Sequence, residues 1–159
     1  MSLLALGSVA GAQGASTLPV ETAADRRSGD DWIDLRLEDI NAYAARYPAA
    51  FVDEVVRYLD APREFVETSV ARRGVEPGDV YFACAIARVS GQPCRRMLEA
   101  WQGARAEGWV PVASRHGVAP GTPGAARVRE LIQASYGRWA RPEPTAPGQG
   151  AKRPAGRRE

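Results

Sequence analysis

Two cysteines, Cys84 and Cys94, and a single histidine, His116, are the side chains of this sequence whose types most readily do chemistry. The cysteines flank the turn Ser90-Gly91-Gln92, a spacing too wide for a CxxC redox centre and too poor in ligands for zinc. A disulfide across the turn is one reading, since an even cysteine count favours pairing in an oxidising compartment. Two buried free thiols are the other. Cys84 stands about 9 Å of helical rise before the turn, and a bridge needs Cα atoms roughly 4.4 to 6.8 Å apart. The spacing leaves both readings open.

His116 precedes Gly117 at the end of a short helical stretch, where contact with the helix C-terminus is its expected role. The carboxylate pairs Asp30-Asp31, Glu38-Asp39 and Asp53-Glu54 are adjacent in sequence. Neighbours on a helix point about 100° apart, so these pairs do not converge on one atom. No nucleophile elbow, P-loop or dinucleotide glycine pattern is present, and "GVAPGTPG" lacks the GK[ST] ending. No catalytic, cofactor-binding or metal-binding residue is expected, and an enzyme is the disfavoured reading.

The stretch "GWVPVASRHGVAPGTPG" has the residue sizes of a helix-turn-helix corner: a small Ala113, Gly117 at the turn, and apolar Val118. The residues that would open a DNA-reading helix are instead "APGTPG", whose prolines and glycines delay and shorten it. Residues 1–80 carry 14 acidic and 8 basic side chains, and residues 81–141 carry 3 and 9. Either the two halves neutralise each other, or the C-terminal half faces an anion. In the second case Arg115, Arg127, Arg129, Lys152 and Arg153 are the candidate contacts. Trp101, Trp109, Tyr136 and Trp139 fall in the same half, as core packing or as the lining of a sugar or peptide groove.

The elements that must position these residues are short helices, because apolar-periodic stretches end at Gly and restart at Pro. Leu37, Ile40, Tyr43, Ala44 and Tyr47 mark one stripe, Phe51, Val52, Val55 and Leu59 a second, and Phe65, Val66 and Val70 a third, closed by Arg72, Arg73 and Gly74. The fourth, from Val80 to Val89, is apolar nearly all round and is the expected central helix. Cys94, Met97, Leu98 and Trp101 share a face of the fifth. A sixth runs from near Trp109 to Gly117. A seventh starts near Pro123 behind Thr122 as cap, with Val128, Leu131, Ile132, Ser135 and Trp139 inward. The expected fold is all-α, a compact array of six to seven short helices with a helix-turn-helix-like corner.

Outside that array, residues 1–12 hold an apolar run and Ala10-Gly11-Ala12, the back half of a secretory signal without a basic start. A start further upstream would supply the missing charge. Residues 13–33 read as a linker, 34–141 as the helical domain, and 142–159 as a disordered, basic, Pro- and Gly-rich tail. "FVDEVVRYLDAPREFV", "GDVYFACAIARVSGQPC", "GWVPVASRHGVAPGTP" and "SYGRWARP" together resemble small signal-sequence-bearing helical proteins of proteobacteria. That resemblance implies an exported helical domain and carries no functional residues across. The expected role is non-catalytic, a periplasmic or secreted domain binding a protein or cell-envelope component, with no cofactor. The alternative is a cytosolic helix-turn-helix-like protein that contacts nucleic acid.

Overall fold

A computed structural model describes residues 27–146. Among them lie seven α-helices and no strand: α1 (Asp31–Arg46), α2 (Pro48–Tyr58), α3 (Arg63–Val70), α4 (Pro77–Ser90), α5 (Cys94–Gly103), α6 (Val110–Arg115) and α7 (Pro123–Arg138). A single 3-10 turn, Arg105–Glu107, joins α5 to α6. The all-α array read from the punctuation is therefore the fold. Residues 1–12, read above as a candidate secretory signal, lie outside the described residues, as do most of the expected linker and the tail beyond 146.

The helix starts follow local chemistry. The Asp30 side chain accepts from the backbone N–H groups of Trp32 and Ile33, which caps α1 three residues before the boundary expected at 34. Ser28-Gly29-Asp30 looks like linker in composition, yet Ser28 and Asp30 are buried and Ile33 is in the core. Proline opens α2, α4 and α7, where its missing N–H would have no partner in any case. Glu76 and Asp79 form a reciprocal capping box at the start of α4. Thr122 caps α7 through Ala125 N–H. α3 stops at Val70, so Arg72 and Arg73 lie in the turn beyond it.

α4 is the central helix, packed by α1, α3, α5 and α7. Its residues from Gly78 to Ala87 are buried on every side. Gly78 lies so close to α1 that a Cβ there would stand 2.7 Å from Leu37 O. Asn41 of α1 accepts from Gly78 N–H at 2.6 Å, so the contact is a hydrogen bond as well as a packing constraint.

α7 ends in a Schellman turn, with Arg141 N–H donating to Tyr136 O and Ala140 N–H to Gly137 O. The residue this motif places in the left-handed region is Ala140, at φ 49°, where a Cβ is strained. Ala140→Gly is expected to raise stability by about 0.5 to 1 kcal/mol, read as a higher urea midpoint at unchanged slope. No helix among the described residues is long and apolar enough to cross a membrane.

Candidate functional site

Cys84 lies on the buried side of α4, and Cys94 is the first residue of α5. Gly91, at φ 68°, reverses the chain, and Pro93 sets the entry of α5, so the two Cα atoms come within 4.5 Å. The pair is at disulfide distance. The offset in helical rise is taken up between Gly91 and Pro93, which carry the chain back along α4 before α5 begins at Cys94.

A cleft of about 500 Å³ opens beside this pair, between the α2–α3 corner and the α4–α5 turn. Leu59, Phe65 and Ala87 form its apolar floor, with Arg88, Arg95 and Asp60 on its rim. Arg95 lies over the Phe65 ring, 5.1 Å from its centroid.

The acidic first half and basic second half meet as ion pairs. Asp30 takes Arg129 at 2.7 Å, Asp39 takes Arg141 at 2.6 Å, and buried Glu54 takes Arg138. Each adjacent carboxylate pair thus sends one member inward to α7 or its C-terminal extension. Glu54 also accepts from Ser135 at 2.7 Å, and Ser135 hydrogen-bonds the Tyr81 hydroxyl at 2.7 Å. Burial pushes the Tyr81 hydroxyl far above its ordinary pKa. This chain of groups is closed in the core, and its members satisfy one another.

The hydrogen bond from Arg141 is the largest influence on Asp39 and holds its carboxyl below the usual range. A depressed folded-state pKa stabilises the fold above the unfolded value of 3.8 and ceases to do so as pH falls through the folded one. Asp39→Asn is therefore expected to flatten the loss of stability below about pH 4, measured as urea midpoints between pH 5 and 2. Burial raises the Tyr136 hydroxyl, which donates to Asp39 at 2.7 Å.

Of the residues considered for anion contact, Arg115 ends α6 and Arg127 lies in the early part of α7, both exposed. Arg129 is engaged by Asp30. Lys152 and Arg153 lie outside the described residues. The α6–α7 corner has the expected sizes: Ala113 and Val118 are buried, and Gly117 is left-handed at φ 75°. Residues 116–122 connect the helices, longer than the 3 or 4 residues usual in a helix-turn-helix. The first turn of α7 presents Pro123, Gly124, Ala125 and Ala126, none with a polar side chain. His116 caps α6, its backbone N–H donating to Val112 O and Ala113 O.

The aromatics divide between the core and a second group. Trp101 and Trp109 are fully buried and stack with centroids 5.0 Å apart, and the Trp109 indole N–H donates to Asp79 at 3.2 Å. Trp139 stacks on Tyr43 at 4.1 Å. Sequence reasoning did not single out Arg36, a buried arginine on α1 that pairs with Glu143. Its position on the inward stripe with Ile33, Leu37 and Ile40 was the available signal. Among the described residues no group of three or more His, Cys, Asp or Glu is placed to hold a metal ion. No family model, curated protein or solved structure matches the chain.

Proposed function

We propose that this protein is a non-catalytic, exported helical domain that binds another protein or a component of the cell envelope. The observation that carries this reading is the Cys84–Cys94 pair, 4.5 Å apart at Cα in a helical hairpin, because such pairs persist oxidised outside the cytosol. The apolar run and small-residue site in residues 1–12 support it, as does the resemblance to signal-bearing helical proteins of proteobacteria. The reactive-looking polar groups of the described residues support binding over catalysis, since Glu54, Ser135, Tyr81 and Arg138 are spent on one another.

The test is the intact mass of C-terminally tagged protein from fractionated cells, handled without reductant. The expected result is a chain beginning at Gln13 in the periplasmic or secreted fraction, two hydrogens lighter than its reduced form. A chain retaining residues 1–12 in the cytosol, with free thiols, would sink the proposal.

Exposed Arg115 and Arg127, on the helices flanking the corner, favour the second reading, a cytosolic nucleic-acid-binding protein. That reading requires DNA binding whose affinity falls steeply as salt rises. Salt-insensitive or absent binding at physiological ionic strength removes it.

A further inference from the structure

After α7 the chain reverses at Ala140 and runs back along α1 as "RPEPTA", residues 141–146. Glu143 of this strap accepts from Arg36 Nε at 3.0 Å and Nη2 at 2.7 Å. The Arg36 side chain is only 8% exposed, so its charge needs a partner where water cannot supply one. Glu143 itself is 35% exposed and reaches in from the solvent side.

Two observations distinguish this pair from an ordinary buried bridge. Arg36 is held independently of Glu143: its guanidinium lies 3.5 Å from the Trp32 ring centroid, and its Nη1 donates to Trp32 O at 3.1 Å. Asp39 and Tyr136 O pin the strap at Arg141, and beyond that residue it is held lightly. Among the described residues no backbone hydrogen bond ties 142–146 to the helices, and Pro142 and Pro144 carry no N–H to make one. The receptor is thus preorganised, and its occupant is one glutamate, Glu143, flanked by Pro142 and Pro144.

The geometry points to Arg36 and Trp32 as a carboxylate-binding site that Glu143 fills in cis and a proline-flanked glutamate of a partner protein fills in trans. Leaving Arg36 empty is costly, but exchanging one carboxylate for another conserves the charge pair. With Arg141 pinned two residues away, Glu143 acts in cis at an effective concentration of at least millimolar order, so it sets the threshold a partner must exceed. This inference rests on the binding-domain reading and deepens it by naming the partner's chemistry.

The probe is a labelled hexapeptide of sequence Arg-Pro-Glu-Pro-Thr-Ala and its Glu-to-Gln twin, titrated by fluorescence anisotropy against the full-length chain and its Glu143→Gln variant. The variant is expected to bind the acidic peptide at least tenfold more tightly than wild type, and the twin is expected to bind neither. Equal affinities, no binding to a folded variant at millimolar peptide, or equal binding of the twin would each overturn the site. Should Glu143→Gln lose its far-UV circular dichroism, Glu143→Asp serves, its shorter reach giving an intermediate gain. Concentration-dependent dimers that the peptide dissolves would place the proline-flanked glutamate on a second copy and overturn the partner named. The titration uses purified protein, so its failure is distinct from a failure of export.

Discussion

Gly124→Ala is expected to lower the melting temperature by on the order of 10 °C, corresponding to about 3 kcal/mol in a domain of this size. Gly124 is the second residue of α7, and a Cβ there would stand 2.1 Å from Gly117 O. That oxygen cannot retreat freely, because the Thr122 hydroxyl donates to it at 2.9 Å while capping α7. The clash is backbone against side chain, so relief requires the α6–α7 corner to open and Val118 to leave its buried site. Gly137, in the same helix, is the control: nothing lies within 4 Å of its Cβ position. There the ordinary helix preference for alanine applies, and Gly137→Ala is expected to stabilise by up to about 1 kcal/mol. Urea denaturation of the two variants checks both signs, and equal midpoints would refute the close approach.

Trp109→Ala is expected to cost about 4 kcal/mol, as befits a large, fully buried ring. Trp109 has no solvent exposure and meets Phe82 edge-on at 5.1 Å and Trp101 face-on at 5.0 Å. It therefore ties α4 and α5 to the start of α6, and its backbone N–H donates to Arg27 O at 2.9 Å, which draws in the segment before α1. Trp109→Phe keeps much of the apolar contact but removes the indole donor to buried Asp79, an expected cost of about 1 to 2 kcal/mol. The difference between the two variants in urea midpoint separates packing from hydrogen bonding. If the two lose the same amount, the hydrogen bond rather than the ring volume is what matters.

Which parts of this were legible in the sequence follows from the range of the interactions. Helix ends are decided within about four residues, so Thr122 and Pro123 announced the start of α7 correctly, and the Gly and Pro punctuation also brackets α4. The central position of α4 was legible because burial on all sides needs no partner to be named. Asp30 was missed as a cap because Ser28-Gly29-Asp30-Asp31 has linker composition, and only the hydrogen bonds to Trp32 and Ile33 distinguish it. The cysteine pairing is open in the sequence because helical rise along α4 says nothing about how far residues 91–93 carry the chain back along it. The partners of Asp30, Glu54 and Asp39 were out of reach for another reason. They lie 99, 84 and 102 residues along the chain. The charge asymmetry between the halves showed that neutralisation was available, not which arginine meets which acid. Arg36 was legible as an anomaly on the apolar stripe of α1, but its partner Glu143, 107 residues along the chain, was not.

Those same distant pairs have a consequence for the order in which the chain can close. α1 and α2 present Asp30, Asp39 and Glu54, but each waits for an arginine on α7 or just after it. Synthesis delivers the N-terminal half first. Until α7 emerges, Glu54 lacks both Arg138 and Ser135, and the α4 face that α7 covers stays open. The domain cannot complete its core from a nascent chain that stops short of residue 141. The core stays open until residue 141 has been made, so the last-made helix of the array is also the one that locks it shut.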